Sequence, residues 1–380
     1  GVDMKLVVAS PGELWLKSEP VKRLFMKKLR ENIASILRRE GIKHRLRVER
    51  DKIFIYASKD AINVLRKVFG ISLLYFAEEV STEYDAIAGA VKRLGEDIGK
   101  GQSFAIRVNR AWKGFKYTSK EMEEMLGRLI DRKVNLTKPD VVIYVDIRKG
   151  HSYVYTERVK GAGGMPVSSA GKVVVLFSGG IDSAVATWLM MKRGCSAELV
   201  YIYNYPFVPR QDREKVMEVA KIIKRYYPKT LKLHIIHFAR IEEAVLNACE
   251  RKYTCLIGRR IMLRIAERIA EECKAKALVT GENLAQVASQ TLDNLITTTS
   301  AVNMLMLRPV IGLDKHEIIE IAKEIGIFEL ASTISSPCPL TYKKPATKSK
   351  PSTIEDEEKK VKELNRLIDD ALKNREVVEI

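Results

Sequence analysis

The chain has 380 residues, 46% of them hydrophobic and 30% charged, with a formal net charge of +18. That length allows two or three domains, each able to bury a core, and the charge suits a polyanionic partner. No apolar run reaches the ~20 residues of a membrane span and no secretory leader opens the chain, so the expectation is a cytoplasmic protein without membrane association; five cysteines in this length do not make a disulfide framework.

Residues 4–10 (MKLVVAS) read as a strand and 20–41 as a helix of 3.6 period ended by Gly41. Residues 44–58 read as two strands around a turn, and 60–70 as a second helix closed by Gly70. This β-α-β-β-α-β order predicts a ferredoxin-like sheet over 1–76. A second unit follows over 77–165: a helix at 83–98, a strand at 103–112, a helix at 119–133 capped by Ser119, and a hairpin over 139–159 turning at Lys149-Gly150. Residues 161–171 (GAGGMPVSSAG) have the composition of a linker. Beyond them, strands at 173–177, 198–203, 231–237 and 277–280 alternate with helices at 183–193, 211–226, 241–248 and 257–273. That alternation predicts an α/β fold over 166–380, a doubly wound parallel sheet. The tail reads as a basic extended stretch at 341–353 and one charged helix at 354–372.

The charge is unevenly spread. Residues 1–170 hold 33 Lys and Arg against 21 Asp and Glu, and residues 171–380 hold 33 against 27, so the shorter part carries two-thirds of the excess. A Lys- and Glu-rich, Gln-poor composition also suits heat adaptation, which accounts for the charged fraction but not for its sign. Arg107, Arg110, Lys113, Lys116 and Lys120, interleaved with Trp112, Phe115 and Tyr117, make a basic and aromatic strand–loop able to hold RNA phosphates and stack bases. The competing reading is an ordinary basic surface over core aromatics.

The most informative stretch is VVVLFSGGIDS, residues 173–183. An apolar β-branched run stops at Ser178-Gly179-Gly180, and a helical pattern starts just beyond Asp182-Ser183. Strand, glycine turn and helix N-terminus together point backbone N–H groups and a helix dipole at an anion. No Gly-Lys-Ser/Thr follows, so this is not the Walker pattern. The plain alternative is a glycine turn of any α/β domain. The five histidines (His44, His151, His234, His237, His316) show no metal spacing, and no metal ligand is assigned.

The spacing S-G-G-x-D-S resembles the loop of the PP-loop ATP pyrophosphatases, which grip the β,γ-pyrophosphate and transfer AMP to a substrate oxygen. Further motifs are similar to one PP-loop family, the tRNA 4-thiouridine synthetases (tRNA sulfurtransferases). ALVTGENLAQVASQTLDNL (277–295) resembles its TGE-x-x-x-Q-V-x-S-Q-T-L signature, LRPVIGLDKHEII (307–319) its R-P-L-I-x-x-D-K segment, and GRRIMLRIAERIA (258–270) its basic helix. Cys338 falls 23 residues after Lys315, at the family's catalytic-cysteine position. The resemblance runs along the whole chain. It implies a ferredoxin-like domain, a THUMP domain gripping the acceptor end of tRNA, and a PP-loop domain ending in a helix.

The resemblance further implies ATP-dependent sulfur transfer to a tRNA uridine, giving 4-thiouridine at position 8. Uracil O4 would be adenylated with release of pyrophosphate, and AMP would then depart. Asp182 would organise the Mg²⁺-bound pyrophosphate, Lys315 would face phosphoryl charge, and Cys338 would act as persulfide acceptor or nucleophile. Leu176, Phe177, Ile202 and Tyr203 would border the adenine. Ser178, Gly179, Gly180, Asp182, Ser183, Arg259, Gly281 and Gln290 would complete the ATP site. The chemistry needs these types: O4 is a poor leaving group until adenylated, a cation and backbone amides lower that barrier, and sulfur must arrive as thiolate or persulfide. Lys343 and Lys344 would favour the thiolate if they fold close to Cys338.

Each assignment has a plain competitor. Asp182 also suits a helix N-cap, Lys315 a solvated charge at a helix start, and Arg259-Arg260 a solvated helix face. Gln290 with Ser289 also suits ordinary loop hydrogen bonding, and Cys338 a free structural thiol. The chain departs from the pattern in two places. Only about 40 residues follow Cys338, too few for the rhodanese domain of many bacterial members. The Cys-x-x-Cys of some archaeal relatives reads Cys255-Leu256-Ile257-Gly258 here, so an iron–sulfur cluster is not favoured, and a Cys255–Cys338 disulfide during turnover is the other reading. Sulfide, a cysteine desulfurase or another carrier would supply sulfur, and a homodimer is the family's expectation. The rivals are a PP-loop synthetase acting on another tRNA base or a small molecule, and a non-catalytic tRNA-binding protein.

Overall fold

The computed structural model describes residues 4–12, 14, 17–287, 289–334 and 345–380, and it divides into two compact units, Gly1–Met165 and Pro166–Ile380. In the first unit, β1 (Met4–Pro11), α1 (Glu19–Arg39), β2 (Arg45–Val48), β3 (Ile53–Tyr56), α2 (Ala61–Leu65) and β4 (Ile71–Ser81) follow the β-α-β-β-α-β order. Helix α1 buries Met26, Leu29, Ile33, Ile36 and Leu37, spaced by threes and fours, in one core with Val7, Ala9, Ile53 and Ile55 of the sheet. Then come α3 (Tyr84–Glu96), β5 (Ser103–Arg110), α4 (Ser119–Gly127), β6 (Lys133–Val134), β7 (Val141–Ile147), β8 (His151–Tyr155) and β9 (Val159–Lys160). Their helices bury Ile87, Val91, Met122 and Leu126 with Phe104, Ile143 and Val145 of the strands.

Among the described residues, the nine strands of this unit form one sheet, ordered β2-β3-β1-β4-β8-β7-β5-β6, with β9 on β4. Position 76/77 lies inside β4, where Glu78 pairs with Lys5 on one side and Val154 on the other. Three local expectations change. Helix α2 stops at Leu65, and α4 stops at Gly127 with Thr118 as its cap, where Glu121 N donates to Thr118 Oγ1 at 3.2 Å and Thr118 N to Glu121 Oε2 at 3.1 Å. The glycine-rich stretch is no loose linker. Gly161 N and Gly163 N donate to Ser72 O and Ile71 O at 3.0 and 2.8 Å, and a Cβ on Gly161 would sit 2.2 Å from Ile71 O.

The second unit comprises β10 (Lys172–Leu176), α5 (Ile181–Lys192), β11 (Ser196–Tyr203), α6 (Gln211–Lys224), β12 (Lys232–His237), α7 (Ala239–Ala248), α8 (Thr254–Glu272) and β13 (Ala277–Val279). It continues through α9 (Leu292–Thr299), β14 (Leu305–Leu307), α10 (Lys315–Ile325), α11 (Phe328–Ala331), α12 (Pro351–Glu358), α13 (Leu364–Lys373) and β15 (Glu376–Glu379). The sheet order is β14-β13-β10-β11-β12-β15, parallel except for β15, which runs antiparallel to β12. Helices α5, α6, α10 and α11 pack together in one layer, and α7, α8, α9, α12 and α13 in the other. This is the doubly wound parallel sheet expected. Strands β14 and β15 were not anticipated, and the single tail helix is two, separated at Glu363, whose φ is +57°.

Connections from β10 run to opposite sides: α5 leads to β11, while α8 brings the chain back across to β13. The crevice between the carboxyl ends of β10 and β13 is therefore the switch point where such sheets bind ligands. Among the described residues, no helix is long and apolar enough to cross a membrane.

Candidate nucleotide-binding site

Strand β10 hands over to the SGGIDS turn at this crevice. Phe177, buried, still donates its N–H to Val200 O at 2.8 Å, and Leu176 before it is half-buried. The turn is then shaped by its own serines. Ser183 Oγ accepts from Ser178 N at 3.1 Å and shares a hydrogen bond with Ser178 Oγ at 3.0 Å, while Gly180 N donates to Ser178 Oγ at 3.3 Å. Gly179 has φ +76°, and a Cβ there would meet Val216 Cγ2 at 2.7 Å and Ile334 Cδ1 at 3.0 Å. Glycine is required twice over: by the backbone and by the approach of α6 and the chain after α11. Gly180 is the N-cap of α5, so Asp182 is not the cap; it lies in the first turn.

Asp182 is held from across the unit. Lys315 Nζ stands 3.0 and 3.1 Å from its two carboxylate oxygens, and Gln286 Nε2 donates to Oδ2 at 3.3 Å. Lys315 is the first residue of α10, where Asp314 N donates to Glu317 Oε1 at 3.2 Å. Both partners keep access to solvent, with side chains 44% and 28% exposed for Lys315 and Asp182. The chain leaving β13 closes the other wall. A Cβ on Gly281 would lie 2.5 Å from Ser183 N and 2.6 Å from the Asp182 carbonyl carbon, so Gly281 lets this backbone press against the start of α5.

Next to Gly281, Glu282 is a buried carboxylate that the sequence reading passed over. Its Oε1 accepts from Thr280 Oγ1 at 2.8 Å and from Arg308 Nε at 3.2 Å, and Arg308 Nη2 donates to Thr299 Oγ1 at 2.6 Å. Glu282 Oε2 accepts no hydrogen bond among the described residues, and Arg259 Nη1 lies 3.7 Å away. The Arg259 side chain stays 28% exposed. Its neighbour Arg260 is different: 1% exposed, it donates to Glu358 Oε1 at 2.7 Å, to Ser300 Oγ at 2.6 Å and to Thr297 O, fastening α12 and α9 to α8. Adjacent positions on a helix point about 100° apart; neither arginine is a merely solvated face. Gln290 braces the loop, with Oε1 accepting from Asn283 N at 2.9 Å. Glu282 and Arg308 stood inside the TGE and LRP motifs, and Gln286 inside the first of these, which was the available signal.

Strand β11 ends at half-buried Ile202 and at Tyr203, which is buried with His237 and Arg213 against its ring at 5.7 and 5.8 Å. For a Mg²⁺–phosphate group the residues present fit: the solvent-accessible carboxylate of Asp182 in the first turn of α5 is the sparse protein donor that Mg²⁺ takes when phosphates and water fill its shell. Among the described residues no cluster of three or more His, Cys, Asp or Glu converges as an all-protein metal cage.

Cys195, Cys249 and Cys273 are free thiols. Cys249 is buried, donates to Glu357 O at 3.4 Å, and is pushed up to about 11 by burial. Cys255, in the first turn of α8, is disulfide-bonded. Cys338, Lys343 and Lys344 lie outside the described residues. The described chain on either side is informative. Ile334 rests against Gly179, Lys215 Nζ donates to Thr333 O at 3.2 Å, and Ala346 N donates to Lys252 O at 3.3 Å.

In the first unit, Arg107, Lys113, Lys116 and Lys120 are exposed. Arg110 instead clamps its own loop, with Nη1 3.3 Å from both Phe115 O and Tyr117 O. The aromatics serve the core: Phe115 is buried, and Trp112 and Tyr117 pack against the α3–α4 cluster. Phe115 does not offer a face for base stacking, because the α3–α4 core already covers its ring.

Three family models match the chain in succession: the ThiI ferredoxin-like domain at residues 6–74, the THUMP domain at 81–157 and the thiamine biosynthesis protein ThiI at 168–363. The chain is 37% identical to a probable tRNA sulfurtransferase of Caldanaerobacter subterraneus subsp. tengcongensis, covering 97% of this chain and 98% of that protein. It is 34% identical to a protein of the same description from Methanocaldococcus jannaschii, covering 94% and 96%. Among solved structures it is similar to a 4-thiouridine synthetase in complex with RNA and with ATP bound, at a TM-score of 0.90 and 33% identity over 100% of both chains.

Proposed function

The chain belongs to the ThiI family of tRNA sulfurtransferases, and from that premise we propose that it uses ATP to convert a tRNA uridine, at position 8 by the family's pattern, to 4-thiouridine. The observation that carries the reading is the Asp182–Lys315 pair beside the SGGIDS turn, closed by Gly281. A nucleotide phosphate at the start of α5 meets backbone N–H groups, the helix dipole and Lys315 together. The solved relative with ATP and RNA supports both ligands for this chain.

In the first step, uracil O4 attacks the α-phosphorus of ATP as the N3 proton leaves. An O–P bond forms, the bond to pyrophosphate breaks, and Lys315 stabilises the charge that develops. Asp182 would hold a Mg²⁺ ion, which would supply charge neutralisation on the departing pyrophosphate. Arg259, kept in place by Glu282, faces phosphate oxygens, and Ile202 and Tyr203 border the adenine.

In the second step, the terminal sulfur of a Cys338 persulfide attacks C4 and AMP departs. Cys255 thiolate then attacks Cys338 Sγ, the S–S bond to the uridine breaks, and 4-thiouridine is released with a Cys255–Cys338 disulfide. Cys255 is disulfide-bonded, which suits a cysteine that takes part in exchange. Chain connectivity supports the location: Ile334, four residues before Cys338, touches the SGGIDS turn, and Ala346 returns to Lys252 near Cys255. Sulfide recharges the site by attacking Cys338 Sγ of the Cys255–Cys338 disulfide, forming the persulfide S–S bond as the bond to Cys255 breaks and its thiolate leaves. A persulfide carrier instead passes its outer sulfur to the Cys338 thiolate after a thiol has reduced the disulfide. Residues 1–76 and 77–165 grip the tRNA through cations such as Arg107, Lys113, Lys116 and Lys120, and 166–380 perform the chemistry.

Pyrophosphate release tests this directly. It should require both ATP and tRNA; release that is indifferent to tRNA would move the substrate elsewhere.

A further inference from the structure

The connection between β11 and α6 carries an aromatic and cationic feature that no step above uses. We propose that Tyr205 and Arg210 form a stacking platform for an unstacked tRNA base next to the uridine being modified, a proposal that rests on the sulfurtransferase reading. Tyr205 is 47% exposed although it directly follows the buried end of β11. Its ring lies 6.2 Å from that of Tyr203 and within 15° of parallel, an offset stack. Tyr203 is 7% exposed and fixed from behind. His237 meets it edge-on, Arg213 lies over it, and both are bonded to Glu376, at 3.0 and 2.7 Å. The outer ring is thus presented on a rigid base. The exposed Arg210 guanidinium, 5.6 Å from the Tyr205 ring centre, adds a cation where a stacked nucleotide carries its phosphate.

Placement ties this feature to the chemistry. The segment 204–210 leaves the carboxyl edge of the sheet and feeds α6. The same helix closes on Gly179 through Val216 and binds Thr333 O through Lys215, five residues before Cys338. A uridine inside folded tRNA must leave its stack to bring O4 in line with a phosphorus. The neighbouring base then loses a stacking partner, and an exposed tyrosine beside an arginine replaces it without reading sequence.

The test uses the full chain with ATP, inorganic sulfide as the sulfur source, and tRNA carrying 2-aminopurine next to the target uridine. Binding should quench the 2-aminopurine fluorescence. Tyr205→Ala should abolish that quenching and raise KM for tRNA on the order of 10-fold with KM for ATP unchanged. Tyr205→Trp should restore both. Unchanged quenching and KM in Tyr205→Ala would overturn the platform, as would a defect seen only with a protein sulfur donor, which would make that protein the occupant. Wild-type pyrophosphate release run in parallel separates the two claims: without tRNA dependence the sulfurtransferase reading fails, and with it but no effect at Tyr205 only the platform fails.

Discussion

Lys315 and Asp182, 133 residues apart in the chain, meet with Nζ 3.0 Å from Oδ1 at the mouth of the SGGIDS turn. A solvent-accessible ion pair contributes only ~0–1 kcal/mol to folding. Its placement therefore points to chemistry. Lys315→Met should lower tRNA-dependent pyrophosphate release roughly 100-fold or more, the loss typical of removing a charge-stabilising donor. Thermal midpoint and tRNA affinity should stay near wild type. A large loss of stability with normal turnover per folded molecule would reverse the assignment.

Gly281 offers a sharper steric test. A methyl group there meets backbone, Ser183 N at 2.5 Å, and not the far end of a flexible side chain, so the start of α5 has to move. Gly281→Ala should cost about 1–3 kcal/mol of stability, as overpacking does. It should weaken ATP binding more than tRNA binding, measured by calorimetry with each ligand. Equal weakening of both would deny that this contact shapes the nucleotide pocket.

The rear of the second unit has its own pH signature. Glu198, buried, accepts from His234 Nε2 at 2.9 Å and from Lys172 Nζ at 2.8 Å. The His234 hydrogen bond, then Lys172, hold its carboxyl down at about 2 from the usual 4.5, against the opposing effect of burial. A carboxyl held below its unfolded value stabilises the fold above that value, and the contribution disappears as pH falls through 4.5 toward 2. Glu198→Gln should therefore cost up to about 3 kcal/mol at pH 7, with the gap to wild type closing as pH drops to ~2. Denaturant melts across that range check it. A gap independent of pH would remove the ionic explanation.

Much of this site was legible in the sequence because its signals are local. An apolar run, two glycines and a helical pattern within eleven residues identify the β10–α5 turn, and the doubly wound sheet follows from the alternation around it. What escaped depends on contacts across long separations. Strand β14 is three residues long and β15 pairs with β12 from the far end of the chain; neither shows a period long enough to read. Arg259 and Arg260 look alike in sequence, and only the docking of α12 makes one structural. Phe115 among lysines resembled a stacking surface until the α3–α4 core claimed its ring. The glycines of 161–171 suggested freedom, yet Gly161 is there because Ile71 O leaves no room for a side chain.

The central claim is that the Asp182–Lys315 site activates a tRNA uridine for sulfur transfer. Mass spectrometry of tRNA nucleosides after incubation with ATP, Mg²⁺ and sulfide tests it most directly, with Asp182→Ala alongside. The account predicts 4-thiouridine from the wild-type chain and none above background from Asp182→Ala. Absence of 4-thiouridine with the wild-type chain, or an undiminished yield from Asp182→Ala, would contradict it.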